Sequence, residues 1–245
     1  MTEKIKVIFS DVDGTLVHYH NQEEESKVKD IVHLPPSSTG MQGIISRETL
    51  NLVTKLREKK PKQVKFVLVS GMRSTTLLQR IPFLPRADAY CSESGGRIFY
   101  PQRDIENDDY GDDDGAFTLQ EDMGWRQIMQ HDDAAGKDGY GCNLDGVVAS
   151  KDDVISTVPI EERKGLLWEF AKMLIHRGWN VDYKGYATSF RIKFRADLSS
   201  GGSPDELRQI LPSELSCSVN LGMSDVYPNS SGKVKWYERA ILVTQ

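Results

Sequence analysis

The chain has 245 residues, 38% hydrophobic and 27% charged, with a formal net charge of −5; this length suits one large domain or two small ones. The acidic balance argues against nucleic acid as the main partner, yet leaves room for a locally basic site that takes an anion. No apolar run reaches membrane length, the N-terminus does not read as a signal peptide, and Cys91, Cys142 and Cys217 show neither a disulfide framework nor metal-ligand spacing; the expectation is a cytoplasmic protein with no membrane partner.

The first predicted strand, residues 6–10, runs straight into Asp11-Val12-Asp13-Gly14-Thr15-Leu16. A buried strand that ends this way sets two carboxylates at the carboxyl edge of a sheet, where open α/β sheets bind ligands. Gly14 lets the chain turn away at once. Two close carboxylates repel unless a proton or cation lies between them, and a hard cation such as Mg²⁺ prefers oxygen ligands. The plain alternative is a strand followed by an Asp-Gly turn. Residues 18–40 are polar, with Glu23-Glu24-Glu25 and Pro35-Pro36, and read as a solvated loop. From Ser46, a plausible N-cap, the apolar residues Leu50, Leu52, Val53 and Leu56 keep helical spacing. A strand over 65–70, a helix over 74–80 and a strand over 87–92 follow. This alternation predicts a doubly wound parallel sheet.

The character changes after Glu93. Ser94-Gly95-Gly96 is a turn and 97–100 a short strand. Residues 104–114 hold six aspartates and one glutamate, which reads as a solvated loop rather than a metal site. A helix over 161–177 places Leu166, Leu167, Phe170, Met173 and Leu174 on one side, and Gly178 ends it. In the strand or hairpin over 183–195, Phe190, Ile192 and Phe194 alternate with Arg191, Lys193 and Arg195. A short helix over 205–211, a strand over 215–221, a loop over 228–232 and a final helix from Lys233 to Val243 complete the chain. The predicted organisation is an α/β core, residues 1–95 and 222–245, with an α+β unit, residues 96–221, inserted in it.

If the first three strands are parallel, Asp11, Asp13, Ser70 and Lys233 converge. Each suits phosphoryl transfer. Asp11 could attack phosphorus, and Asp13 could protonate the leaving oxygen and then activate water. Ser70 and the backbone N–H groups around Gly71 could hold phosphoryl oxygens. Lys233 adds fixed positive charge, and Mg²⁺ on Asp11 and Asp13 neutralises the rest. Arg73 lies near this site, and Arg191 and Lys193 could reach an anionic substrate, although alternation on a half-exposed sheet explains that pair equally well. His18 and His20 follow the first motif, but the chemistry asks for a harder ion than Zn²⁺.

Three stretches carry a resemblance. Asp11-Val12-Asp13-Gly14-Thr15-Leu16, Val67-Leu68-Val69-Ser70-Gly71 and Gly232-Lys233 resemble the first, second and third motifs of the haloacid dehalogenase-like superfamily. Asp13 is typical of its phosphatase and phosphomutase branches. The stretch from Ser92 to Phe99 resembles the entry to the large cap shared by Cof-type phosphatases, sucrose-phosphate phosphatases and phosphomannomutases. The resemblance implies a Rossmann-like core with an α+β cap. It implies a Mg²⁺-dependent phosphatase acting on a small phosphorylated metabolite, most simply a sugar phosphate, through an aspartyl-phosphate on Asp11. Asp11 and Asp13 would be catalytic and hold the metal; Ser70, Gly71, Lys233, Arg73 and Arg191 would bind the substrate. The alternatives are a weak or inactive relative that binds phosphorylated ligands or a protein partner, and a phosphomutase. The family's fourth motif, a Gly-Asp followed by a further aspartate, does not occur among the twelve residues after Lys233. The expectation is therefore a core that lacks the carboxylates opposite Asp11 and one or two strands. Its exposed sheet edge would favour self-association.

Overall fold

The computed structural model describes residues 6–19, 30–36, 42–59, 64–101, 119–129, 159–194, 203–220 and 239–244. The chain divides into two units, residues 1–126 with 143–150, and residues 127–142 with 151–245.

The first unit contains β1 (Lys6–Asp11), β2 (Ile31–His33), β3 (Ile44–Ser46), α1 (Arg47–Lys59), β4 (Val64–Val69), α2 (Ser74–Arg80), β5 (Ala89–Ser92), β6 (Arg97–Pro101), β7 (Leu119–Glu121) and the start of α3 (Met123–Met129). Its main sheet has the order β1-β4-β5-β6-β7. β1, β4 and β5 are parallel, as the alternation of strands and helices predicts. β6 and β7 are antiparallel additions, so the sheet is mixed rather than wholly parallel. The reason is local. Glu93 and Ser94 take left-handed backbone conformations (φ 53° and 59°), which reverses the chain within a few residues. No crossover element intervenes, and strands joined by so short a turn must pair antiparallel.

The core of this unit gathers Val12, Leu16, Phe66, Leu68, Leu77 and Phe99. β1 departs from the expectation of a buried strand. Among the described residues it is the edge of the sheet, and Phe9 is 68% exposed. Its apolar run signals pairing, but among the described residues only β4 pairs with it. β2 and β3 form an antiparallel ribbon within and just beyond the segment expected to be a solvated loop. Strands of three residues are too short to show alternation, yet Leu34, Ile44 and Ile45 are buried. Gly43 is required there by close approach: a Cβ at this position would lie 2.4 Å from Val17 Cγ1. The Ser46 N-cap is present, with its Oγ accepting a hydrogen bond from the Thr49 N–H at 3.1 Å.

A buried ionic cluster fastens the antiparallel end. Arg97 donates from Nε and Nη2 to the two carboxylate oxygens of Glu121, each at 2.7 Å. Arg126 Nη1 donates to Glu121 Oε2 at 3.1 Å.

The second unit contains a 3₁₀ turn (Ile160–Glu162), α4 (Leu166–His176), β8 (Val181–Asp182), β9 (Ser189–Phe194), α5 (Pro204–Ile210), β10 (Ser216–Asn220) and β11 (Arg239–Thr244). Its sheet has the order β10-β11-β9-β8 and every pair is antiparallel. α4 buries Leu167, Phe170 and Leu174 in one core with Phe190, Ile192 and Val243. This is the α+β composition expected of the middle of the chain. The expected helix over 161–177 starts only at Leu166, because the 3₁₀ turn and Gly165 (φ 91°) precede it.

The final helix predicted over 233–243 is not found where the structure describes it. Residues 239–244 form β11, paired with β10 on one side and β9 on the other. The run Ala240-Ile241-Leu242-Val243-Thr244 is short and apolar, and periodicity alone does not separate a buried strand from a buried helix in such a run. The segment expected to close the first unit thus contributes a strand to the second. Likewise, the boundary expected at residue 96 falls inside the first unit's sheet, which continues through β6 and β7. Lys233 and the acidic stretch 104–114 lie outside the described residues. No helix among the described residues is long and apolar enough to cross a membrane.

Glu121→Ala leaves two guanidinium groups buried without their shared carboxylate. It is expected to lower unfolding free energy by about 3–5 kcal/mol, measured by urea titration at neutral pH.

Candidate active site

The site is built by register. Asp11, the last residue of β1, pairs with Val69, the last residue of β4. Asp11 and the Ser70-Gly71 turn therefore leave adjacent strand ends, about 4.8 Å apart across the sheet. Val69 in turn pairs with Cys91 of β5, which brings Ser92 and Glu93 to the same edge. The three parallel strands thus deliver Asp11, the Ser70-Gly71 turn and the Ser92-Glu93 segment to one carboxyl edge.

After Asp11 the chain makes a tight turn. Leu16 and Val17 N–H both donate to the Val12 carbonyl, at 3.0 and 2.8 Å, and Gly14 N–H donates to the Val17 carbonyl at 2.7 Å. Gly14 has φ 83°, a conformation that costs a residue with a Cβ. The turn holds Asp13 in a bridge with Val17 and sends Tyr19 back towards it.

Asp13 is not a free carboxylate. Its Oδ1 accepts a hydrogen bond from the Tyr19 hydroxyl at 2.5 Å and one from Arg80 Nη1 at 3.1 Å. The same Arg80 Nη1 donates to the Tyr19 oxygen at 2.8 Å, closing a triangle. Arg80 is fully buried at the end of α2. Its Nε donates to the Pro35 carbonyl at 3.1 Å, whereas Nη2 finds no acceptor among the described residues. Burial, and then the charge of Asp13, pushes the Tyr19 phenol above its usual range, so Tyr19 stays protonated and donates. Partial burial pushes the Asp11 carboxyl above its usual range, and the charge of Asp13 adds to this. A hydrogen bond from the Val12 backbone N–H opposes both.

Ser70 is buried at the end of β4. Its Oγ accepts from the Met72 N–H at 3.1 Å, which leaves its own hydrogen as a donor. Ser70 N–H donates to the Cys91 carbonyl and the Ser70 carbonyl accepts from Ser94 N–H, each at 2.9 Å. The loop is thereby tied to β5. Gly71 and Arg73 are half-buried between Ser70 and α2. Arg191 lies in β9 of the second unit, where its Nη2 donates to Asp182 Oδ2 at 2.8 Å; Lys193 lies 3.4 Å from the same oxygen. That shared carboxylate favours the plain reading of the alternating cations as a paired sheet face. Lys233, expected to bind the phosphoryl group, is outside the described residues.

Three residues at this edge escaped the sequence reading: Tyr19, Arg80 and Glu93. Glu93 is buried, and its Oε1 accepts from Ser74 Oγ at 3.1 Å. A signal for Arg80 existed: Leu77 is buried three residues earlier on the same helix, so the 3.6 period places Arg80 on the inner stripe. A charge there needs a partner. Tyr19 lay in a stretch read as solvated and gave no signal.

The oxygen donors that this edge could offer a cation such as Mg²⁺ are the Asp11 carboxyl and the Asp13 main-chain carbonyl. The Asp11 carboxyl, raised by burial and a like charge, is the kind of group a cation relieves. The Asp13 side chain is committed to Tyr19 and Arg80, but its main-chain carbonyl remains a candidate donor. No group of three or more His, Cys, Asp or Glu suited to a metal occurs among the described residues.

Asp13→Ala strips Arg80 and Tyr19 of their common acceptor. Because the Asp13 side chain is 37% exposed, the expected loss is about 1–3 kcal/mol. Asp13→Asn keeps a carbonyl oxygen and should lose less. Thermal melts of the two variants against wild type check the order.

Comparisons with known proteins add no relative. The chain matches no family model, no curated protein and no solved structure.

Proposed function

We propose that the chain is a Mg²⁺-dependent phosphatase of the haloacid dehalogenase-like type. In this reading the first unit is its Rossmann-like core, and the substrate is a small phosphorylated metabolite such as a sugar phosphate. The observation that carries this reading is the register of β1 against β4, which sets Asp11 beside the Ser70-Gly71 turn at one sheet edge.

The chemistry runs in two halves. An Asp11 carboxylate oxygen attacks phosphorus, the phosphorus–oxygen ester bond breaks, and Asp13 gives its proton to the departing alkoxide. Water then attacks the acyl phosphate, Asp13 takes its proton, and inorganic phosphate leaves with Asp11 regenerated. Ser70 Oγ–H and the backbone N–H groups at Gly71 hold phosphoryl oxygens as charge develops. Mg²⁺, held by the Asp11 carboxylate and the Asp13 main-chain carbonyl, would supply charge neutralisation. Lys233 supplies fixed positive charge in this reading.

One observation favours a second reading. No third acidic or histidine ligand joins the pair among the described residues. A protein that binds phosphorylated ligands through the Ser70-Gly71 turn with little turnover fits that poverty of ligands.

With Mg²⁺ and p-nitrophenyl phosphate, the expected outcome is turnover that Asp11→Asn lowers by about 10³-fold or more. Turnover equal in wild type and Asp11→Asn overturns the phosphatase reading. Phosphate binding by calorimetry, retained without turnover, supports the binding protein instead.

A further inference from the structure

The triangle of Asp13, Tyr19 and Arg80 constrains one carboxylate oxygen and spares the other. Oδ1 takes both donors, Tyr19 at 2.5 Å and Arg80 at 3.1 Å. No hydrogen bond from the described residues is made to Oδ2. The geometry points to Tyr19 and Arg80 as positioning residues for Asp13: they lock its carboxyl plane through Oδ1, so that Oδ2 is the oxygen that carries the proton to and from the reacting group. This inference rests on the phosphatase reading and deepens it.

The physical case starts from freedom. Asp13 follows a tight turn, its side chain is 37% exposed, and an unanchored carboxyl rotates about its last bond among several orientations. A proton-transfer group works only within hydrogen-bond reach of its target, and small misplacements are costly. The anchor must therefore be stiffer than the group it holds. Arg80 meets that need. It has no solvent exposure and is fixed by the Pro35 carbonyl through Nε. Its guanidinium lies 5.7 Å from the centre of the Tyr19 ring and 3.8 Å, measured from Nη1, from Met72 Sδ. Met72 belongs to the turn that follows Ser70 and Gly71. One buried cation thus touches the segments on which both halves of the site stand. Tyr19 adds a second donor from the chain immediately after the first motif, and its bond to Arg80 at 2.8 Å keeps the two donors from moving independently.

A merely structural staple would hold the loop and make no difference between leaving groups, whereas a positioning role would. The test compares kcat/KM for phenyl phosphate and for p-nitrophenyl phosphate. The two esters have similar shape, but phenolate leaves with more need of a proton. kcat/KM reports steps through departure of the leaving group, and the ratio within one preparation is independent of how much of the variant is folded. For Tyr19→Phe, which keeps the ring and removes the hydroxyl, the phenyl to p-nitrophenyl ratio is expected to fall by about tenfold or more, part of the 10²–10⁴-fold that general acid catalysis contributes. Arg80→Lys, which keeps the charge and loses the fork, should move the ratio in the same direction. Asp13→Asn sets the limit of the effect. If Tyr19→Phe and Arg80→Lys slow both esters equally, the positioning role is overturned while the phosphatase reading stands. If wild type hydrolyses neither ester, the phosphatase reading falls and the positioning role falls with it.

Discussion

The ladder between β1 and β4 is the constraint on which the candidate site depends. Six residues of β1 pair in register with six of β4, from Lys6 with Val64 to Asp11 with Val69. Side chains alternate in a strand, so a slip of one residue would turn the Asp11 carboxyl to the opposite face. The alternating burial of β4, with Val64, Phe66 and Leu68 inward, pins the register from the inner strand. The outer strand then carries its motif to a place it does not itself define.

The triangle around Asp13 is the second layer. It joins the turn after β1, the end of α2 and the Pro35 carbonyl. None of these segments is close in sequence. A buried arginine with one donor lacking an acceptor among the described residues is a poor choice for stability alone, since burying unpaired polar groups costs free energy. Its position beside Asp13 gives that cost a purpose within the proposed reaction.

The parts of the fold that were legible in the sequence are those whose signal is local. The Ser46 cap, the strand expected over 65–70, the helix over 74–80 and the apolar face of α4 all rest on local signals along the chain. The convergence of Asp11 with the Ser70 turn followed from the alternation of strands and helices. What was not legible depends on partners distant in the chain. β1 reads as buried, yet its exposure is decided by which strands lie beside it. The expected final helix over 233–243 overlaps residues 239–244, whose short apolar run does not by itself separate helix from strand; pairing with β9 and β10 makes them a strand. The helical period places Arg80 on the inner stripe with Leu77, but its partners Asp13, Tyr19 and the Pro35 carbonyl lie far off in the chain and leave no local signal.

The edge position of β1 carries a consequence for the lifetime of the site. Interior strands are held by two ladders, but among the described residues Asp11 sits on a strand held by one. Such a strand opens by local fraying at a free energy below that of the whole core. Amide hydrogens of β1 should therefore exchange with solvent sooner than those of β4. Each excursion separates Asp11 from the Ser70 turn while the core beneath stays closed. The candidate site thus has its own, smaller stability, set by one ladder and by the anchors on Asp13.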